Sequence, residues 1–233
     1  MEKKEENKNL VEIAYSMILD RITKFSLSPG ASISDYSLSK ELGISRTPIR
    51  EALLRLVDDG LLERNPHNFK VTDITVDEIK DLYDARNGLE IEMLKLSIKR
   101  GISAAQIMAL RDMNESLEKC VEEGDIIKAL DYDTKIHRYL AELSGNNRLL
   151  SFYSRISKQT QRMSVFSIAQ DKQRANNEHE ELFKALENGN EEGAIKALSE
   201  NILKAKEQHL NVLENGMREG WMGIAKFVYK QYI

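Results

Sequence analysis

The spacing of apolar residues predicts two helices in the first part of the chain. In residues 10–25, apolar side chains recur every three or four positions, which is typical of a helix with one buried face. A short helix is predicted over residues 36–42, with Ser34 or Asp35 as its N-cap. Gly43 follows, and glycine often ends a helix because it adopts the left-handed conformation without strain.

A third helix and a hairpin are predicted next. Ser45 precedes residues 46–59, where a proline in the first turn and regular apolar spacing favour a helix. Residues 61–64 and 69–72 have the composition of short strands, and they flank the turn-forming residues 65–68. This order of elements is that of a winged helix-turn-helix: a helix, a short helix, a tight turn, an arginine-bearing helix and a hairpin.

The rest of the chain has the pattern of a helical bundle. It contains no proline after residue 75 and almost no strand signal. Apolar spacing and glycine- or asparagine-containing breaks predict helices over residues 76–99, 103–123, 125–143, 148–169, 171–187 and 191–213. Connections this short favour an antiparallel arrangement. The predicted fold class is thus mainly α, with a winged helix-turn-helix domain in residues 1–74 and an all-α antiparallel helical bundle in residues 75–215.

Residues 216–233 form a separate C-terminal tail. Its apolar residues have the spacing of an amphipathic helix, and they are Trp221, Ile224, Phe227, Val228 and Tyr232. Such a helix packs on its own bundle or on a partner subunit, and a disordered tail is an equal alternative.

Composition indicates a globular protein of the reducing cytosol. Hydrophobic residues make up 41% of the chain and charged residues 31%, a balance unlike that of disordered or membrane-embedded proteins. No run of about 18 apolar residues occurs, and residues 1–9 are charged without the apolar stretch of a signal peptide. Cys120 is the single cysteine, so no internal disulfide forms. We therefore expect a cytoplasmic protein that does not contact membranes.

The charge distribution limits how the chain can contact nucleic acid. The net charge is −4, and residues 1–73 contain eleven Lys and Arg against twelve Asp and Glu. Proteins that coat DNA non-specifically depend on bulk neutralisation of phosphates, which this charge does not supply. Any contact with DNA must come from a few locally placed side chains.

Three side chains of the third predicted helix form a candidate DNA-reading face. At 100° per residue, Arg46, Thr47 and Arg50 fall on one side of the helix and its apolar residues fall on another. We name this set the reading face. Arginines one turn apart near a helix N-terminus suit guanine recognition in the major groove, because a guanidinium donates two parallel hydrogen bonds to the guanine edge. A solvated face without a partner is the alternative. In the hairpin, His67 and Lys70 are placed to contact the sugar-phosphate backbone or the minor groove.

The residues of this part resemble a known family. The segment LSPGASISDYSLSKELGISRTPIREALLRLVDDGLL, and above all its SRTPIREAL core, is similar to the N-terminal domain of the GntR family of bacterial repressors. The resemblance implies binding of double-stranded DNA through the reading face and the adjoining Ser45. Because one helix-turn-helix reads few bases, we expect a homodimer on a palindromic operator.

Two positions depart from the pattern of that family. Asn68 stands at the wing tip, where family members have glycine, and asparagine tolerates a positive φ better than other residues with a side chain. Tyr36 stands where some relatives carry a basic residue, and its hydroxyl can still donate a hydrogen bond to a phosphate.

A second constellation lies in the predicted bundle. Asp133 and His137 occupy inward positions where apolar residues are expected, one helical turn apart. His179 lies on the inward stripe of a later predicted helix. We name these three residues the ligand cluster, because together they have the chemistry to chelate one divalent ion. A hydrogen-bonded Asp–His pair with a separate core histidine is the alternative.

The bundle in turn resembles the FCD-type ligand-binding domain of the FadR-like subfamily. The resemblance implies that an aspartate and three histidines hold Zn²⁺, Ni²⁺ or a similar divalent ion, which helps to bind a small organic acid. Asp133, His137 and His179 match three of these ligands. Asn201 stands in place of the last histidine, and an amide is a weaker, neutral oxygen ligand.

The same resemblance implies effector contacts, and the residues concerned are Arg86, Glu90, Asn146 and Asn201. In the resembled domain, an arginine at the position of Arg86 faces the cavity, where its planar fork of donors suits a carboxylate. Glu90 lies one turn further along the same helix, so a plain intrahelical ion pair is the alternative.

These features predict a sequence-specific transcription regulator, a repressor whose operator affinity a small organic acid controls. Two other functions remain as alternatives. In a metal sensor the bound ion itself is the effector. In a metal-dependent enzyme the ligand cluster forms the site, with Glu178 or Glu180 as base, but this leaves the SRTPIREAL segment unexplained. We therefore expect no catalytic activity.

Overall fold

The protein is described by a computed structural model that covers residues 2–170 and 179–219. It divides into two compact units, one formed by the chain up to Thr75 and the other by Val76–Asn215. The first combines three helices with a small sheet, and the described part of the second is helical.

The helices of the first unit are α1 (Glu2–Thr23), α2 (Asp35–Leu42) and α3 (Arg46–Asp58). The helix α1 begins earlier than predicted and ends two residues sooner, since Phe25 adopts a left-handed φ of 57° that a helix cannot contain. Ser34 is the N-cap of α2, and its hydroxyl accepts from the Ser37 N–H at 3.5 Å. Gly43 ends α2 with a φ of 67°, in agreement with the sequence pattern.

A three-stranded antiparallel sheet completes the first unit, and its strands are β1 (Ser32–Ile33), β2 (Leu62–Arg64) and β3 (Phe69–Val71). Their order is β1-β3-β2, with Ser32 opposite Lys70 and Leu62 opposite Val71. The strands β2 and β3 are the predicted hairpin. The sequence does not predict β1, because two residues are too few to show alternation.

One hydrophobic core joins α1, α2, α3 and the sheet. Its most deeply buried side chains come from all of these elements except α2, and they include Ile18, Ile22, Ile49, Leu53, Leu56, Leu61 and Leu62. Polar contacts reinforce the packing of α1 on α3, since the Tyr15 hydroxyl donates to Asp59 and Arg55 donates to Glu12, both at 2.5 Å. The helix α3 is thus fixed with its apolar face inward.

The described helices of the second unit are α4 (Val76–Arg100), α5 (Ala104–Glu123), α6 (Ile126–Leu143), α7 (Asn147–Gln170), α8 (Glu180–Glu187) and α9 (Glu191–Glu219), the last of which belongs to this unit as far as Asn215. The predicted helix over residues 171–187 is described only from residue 179, and α8 is its described part. The tail residues from Trp221 to Tyr232 lie outside the described residues. No helix in the described ranges is both long and apolar enough to span a lipid bilayer.

The helix α6 packs against α4, α5 and α7, so its side chains reach the interior of the bundle. The Ser97 hydroxyl of α4 donates to the Leu140 carbonyl of α6 at 3.1 Å. The short helix α8 packs on α5, where Arg111 donates to both carboxylate oxygens of Glu187 at 2.7 and 3.0 Å and to Glu180 at 2.7 Å. These contacts hold α8, and the residue that precedes it, against the bundle.

The turn between α6 and α7 is closely packed around Gly145. Gly145 has a φ of 60°, and a Cβ at this position would collide with the guanidinium group of Arg100. Arg100 Nη1 donates to the Ser144 carbonyl at 2.6 Å, which ties the end of α4 to the same turn.

We expect Gly145→Ala to destabilise the protein more than Gly189→Ala does. Gly189 has a similar φ of 64° but open space around it, so its replacement costs only the left-handed backbone, about 1–2 kcal/mol. Gly145→Ala must also displace Arg100. Urea denaturation followed by circular dichroism measures both losses. Equal losses in the two variants would show that Arg100 does not restrict the turn.

Candidate functional site

The first turn of α3 presents the reading face to solvent. Arg46, Thr47 and Arg50 are exposed, while the apolar face of the same helix is buried in the core. Ser45 is the N-cap residue and is exposed, but its hydroxyl makes no capping hydrogen bond. The structure therefore brings all four predicted residues to one accessible helix end, whose N–H groups favour anions.

A carboxylate lies between the two arginines of the reading face. Asp35 Oδ1 accepts a hydrogen bond from Arg46 Nη2 at 2.9 Å, and Asp35 Oδ2 lies 4.0 Å from Arg50 Nη1. The sequence suggests only a capping role for Asp35, and the structure gives that role to Ser34. No sequence pattern signals the contact, because it joins residues of two different helices.

Tyr36 lies in the first turn of α2 and is 51% exposed. The ammonium group of Lys40 lies 4.5 Å from the centre of its ring. A positive charge is thus present beside the position where some relatives carry a basic residue, and a hydroxyl and an ammonium group are both available there for phosphates.

The wing carries the remaining predicted DNA contacts. His67 is exposed in the turn between β2 and β3. Asn68 does not use its tolerance of positive φ, and its side-chain amide instead donates to Ser32 Oγ at 2.6 Å. Lys70 donates to Asp73 at 2.8 Å, and this hydrogen bond raises the pKa of its ammonium group.

The ligand cluster is assembled in the second unit. Asp133 and His137 project from α6, and His179 is the residue immediately before α8. Asp133 Oδ1 lies 3.6 Å from His179 Nε2 and 3.9 Å from His137 Nε2, and the three donor atoms all lie within 4.8 Å of one another. Both imidazoles are 2% exposed. Three residues from two segments therefore point one oxygen and two nitrogens at a common centre.

A second layer of residues fixes which imidazole nitrogen faces that centre. His137 Nδ1 lies 2.6 Å from Glu90 Oε2, and His179 Nδ1 lies 3.0 Å from Asn114 Oδ1. Both oxygens are acceptors, and the Asn114 amide is oriented by its own donation to Glu118 at 2.9 Å. With Nδ1 turned to an oxygen acceptor, each ring presents its Nε2 on the side of Asp133, which is the orientation in which an imidazole can offer Nε2 to a cation.

Glu90 is ionised although it is buried. Burial alone would raise the pKa of its carboxyl, but Arg86 and His137 outweigh burial and lower this pKa to about 2. Arg86 Nε donates to Glu90 Oε1 at 2.5 Å, so the predicted intrahelical ion pair is present and buried. Arg86 also hydrogen-bonds to the side chain of Tyr83. The contact predicted between Arg86 and an effector carboxylate stays a prediction.

The donor set of the ligand cluster fits a divalent metal ion. Burial lowers the pKa of His179 to about 4, so its imidazole is neutral, as a metal ligand must be. Its Nε2 is buried and has no hydrogen-bond partner among the described atoms. Such an atom is costly unless it binds something, and two imidazoles with one carboxylate suit Zn²⁺ or Ni²⁺.

The predicted fourth ligand lies on α9. Asn201 is buried at 6% exposure and takes part in contacts of its own. His209, eight residues further along α9, lies elsewhere, with its Nδ1 2.7 Å from the hydroxyl of Tyr83. Burial, and after it the charge of Arg86, lowers the pKa of His209 to about 3. The role of Asn201 as a ligand or effector contact stays a prediction.

Asn146 has a structural role in addition to its predicted effector contact. Its Oδ1 accepts from the backbone N–H groups of Arg148 and Leu149, both at 3.2 Å, so it caps the N-terminus of α7. The side-chain oxygen is therefore already in use. An effector contact by Asn146 stays a prediction, and only its amide nitrogen is left for it.

Three orienting contacts are not predicted from the sequence. Glu90 is expected as an effector contact, and the structure shows it orienting His137. Asn114 and Arg111 are not predicted, although a polar residue on the buried face of α5 is a signal that points to Asn114. Their partners lie 65 to 76 residues away along the chain, a distance over which periodicity carries no information.

Comparisons with known proteins agree with this geometry. The FCD domain pattern matches residues 81–204, and the pattern of bacterial regulatory proteins of the gntR family matches residues 10–68. The chain is 26% identical over 206 residues to the uncharacterized HTH-type transcriptional regulator YdhC of Bacillus subtilis, covering 87% of this chain and 92% of YdhC. It is 28% identical over 200 residues to the Nta operon transcriptional regulator of Aminobacter aminovorans, covering 84% of this chain and 92% of the relative.

A solved structure shares the fold. McbR/YncC of Escherichia coli superposes with a TM-score of 0.73 at 20% identity, covering 96% of this chain and 99% of that protein. The relatives are named as transcription regulators, and the enzyme alternative finds no support among them. The protein is therefore a DNA-binding transcription regulator. The chain belongs to the GntR family of bacterial regulatory proteins, with an FCD domain as its C-terminal part.

Proposed function

We propose that this regulator is a repressor that binds a palindromic operator as a homodimer and is controlled by a small organic acid held, together with a divalent metal, in the FCD domain. The observation that carries the proposal is the presence in one chain of an exposed arginine face on α3 and, in the bundle, a cluster of two buried, oriented imidazoles with one carboxylate. The arginine face would read the DNA sequence, and the cluster would bind the small molecule that controls the regulator.

DNA binding in this proposal begins with the N-terminal turn of α3 in the major groove. Arg46 and Arg50 donate to guanine edges, and Thr47 contacts a neighbouring base or phosphate. Contacts to the sugar-phosphate backbone come from the α3 cap, the α2 N-terminus and the wing, and the residues are Ser45, Tyr36, His67, Asn68 and Lys70. The near-neutral charge of this domain supports readout by few contacts over non-specific coating.

Asp133, His137 and His179 hold the metal in the proposed signal site. A divalent ion there supplies a positive centre to which a carboxylate can bind. The three residues would supply three ligands, and Asn201 would add a weak fourth or leave that position to the organic acid. Arg86 donates to Glu90, and Glu90 in turn contacts His137 of the ligand cluster. This proximity supports a role for Arg86 in neutralising a second acidic group of the effector.

Arg50→Ala is expected to weaken operator binding while leaving the metal site intact. Loss of one bidentate base contact costs about 1–3 kcal/mol. Fluorescence anisotropy with an operator duplex, selected from random DNA by the wild-type protein, measures the change. Arg138→Ala is the matched control, because it removes an exposed arginine of α6 that pairs with Glu142. Equal effects of the two variants would contradict the assignment of the reading face.

Metal affinity tests the ligand cluster. We expect wild-type protein to bind one Zn²⁺ or Ni²⁺ per chain in calorimetric titration, and His179→Ala to remove this binding. Asn114→Ala leaves the ligand in place but frees its ring, so affinity falls on the order of 10- to 100-fold. Asn201→His is expected to tighten binding by adding an imidazole. Unchanged affinity in His179→Ala would exclude the cluster as the metal site.

Coupling between the two domains is the third test. We expect the affinity for the operator to change by about 1–3 kcal/mol when the metal-loaded protein binds its organic acid. Anisotropy titrations are run on three forms of the protein: treated with chelator, loaded with metal, and loaded with both metal and acid. Comparison of the three separates the effect of the metal on operator affinity from the effect of the acid. Dicarboxylates and tricarboxylates are the first acids to screen. A response to metal alone, with no further effect of any acid, would identify a metal sensor instead.

A further inference from the structure

We propose that Asp35 determines how sharply the protein distinguishes its operator from other DNA, by holding the guanidinium groups of Arg46 and Arg50 in one arrangement. The proposal rests on the function proposed above, in which these arginines contact base edges. Asp35 itself contacts no base. It is a positioning residue, and it also opposes binding to DNA of unrelated sequence.

The geometry is that of one carboxylate shared by two cations. Asp35 opens α2, and its side chain is only 16% exposed, against 59% for Arg46 and 55% for Arg50. One carboxylate oxygen accepts from Arg46 at 2.9 Å, and the other lies 4.0 Å from Arg50. The packed acid is thus the fixed member of the group, and the exposed arginines are ordered around it.

Asp35 does not supply the N-cap of α2. The side chain of Ser34 supplies the N-cap hydrogen bond of α2, and Gly43 ends the helix. The carboxylate is left to act on the two arginines, whose side chains lie one turn apart on α3 and would otherwise repel each other.

Ordering before binding favours the specific complex. Long arginine side chains lose rotamer freedom when they contact a base, and a pre-set arrangement reduces that loss. A guanidinium has five N–H donors, so Arg46 can keep its bond to Asp35 while it donates two hydrogen bonds to a guanine. Readout of bases is therefore compatible with the Asp35 contact.

Binding to unrelated DNA is opposed by the same carboxylate. Non-specific affinity comes almost entirely from cations that neutralise phosphates. To reach phosphates freely, Arg46 and Arg50 must first break their contacts with Asp35. If they keep these contacts, the carboxylate of Asp35 repels the phosphates that the arginines approach. The domain has no excess of positive charge to compensate, since residues 1–73 carry eleven basic against twelve acidic side chains.

The test compares wild-type protein with Asp35→Asn on two duplexes. One is the operator selected from a random pool by the full-length wild-type chain, and the other is a scrambled duplex of equal length. We expect operator affinity to fall about threefold and scrambled-duplex affinity to rise about threefold, effects of the size of one surface ion pair. The slope of log affinity against log salt on the scrambled duplex should steepen by about 1.

Two further variants make the result specific to this position. Glu41→Gln removes the same charge from α2 and frees Arg21, with which Glu41 pairs at 3.0 Å, so it should leave the ratio of the two affinities unchanged. Asp35→Glu keeps the charge and should retain the wild-type ratio. It also keeps the inference testable if circular dichroism shows that Asp35→Asn melts early.

The outcomes separate this inference from the proposed function. If Asp35→Asn changes both affinities by the same factor, or Asp35→Glu loses the wild-type ratio, Asp35 does not position the arginines and the inference is wrong. If the wild-type protein selects no sequence from the pool, the proposed function fails first, and the inference fails with it.

Discussion

The buried carboxylate of Glu90 is the group on which the polar interior of the bundle depends. One of its oxygens accepts from Arg86 on its own helix, and the other accepts from His137 on α6. A charge at this depth is tolerated only while it is paired and fully hydrogen-bonded. The helices α4 and α6 are therefore locked in one register, and the orientation of the His137 ring follows from that register. The same arrangement continues to α9, because the Arg86 guanidinium lies over the Tyr83 ring and the Tyr83 hydroxyl contacts His209.

The two histidines of the ligand cluster are held by different kinds of contact. His137 is a helix residue held by a charged acceptor on α4, whereas His179 precedes α8 and is held by the neutral amide of Asn114 on α5. The position of His179 also depends on Arg111, which binds α8 through both of its terminal acids. Two independent supports thus converge on one centre. A disturbance of α5 or α8 would move His179 without His137, and would thereby change the geometry of the candidate cation site.

The sequence predicts what is periodic or local, and this covers most of the fold. Stepping around α3 separates Arg50 from the buried face, and the one-turn spacing of Asp133 and His137 brings these residues together as expected. It does not predict β1, the shared contact of Asp35, or the orienting roles of Glu90 and Asn114. Each of these joins segments that meet only after the chain has folded, and their partners are chosen by packing rather than by spacing.

The strand β1 gives the wing a second connection to the rest of the first unit. Ser32 pairs with Lys70 and receives a hydrogen bond from the wing-tip residue Asn68, and it lies only three positions before Asp35. The wing, for which we propose a contact with DNA, is therefore bonded to a segment that leads within three residues to Asp35, the acid for which we propose the alignment of the arginines. Exchange of wing loops between related regulators would then alter the base preference of α3 although no residue of α3 has changed. With both proposed contacts in place, base specificity depends on the wing and the helix jointly, and a recognition code written for the helix alone would be incomplete.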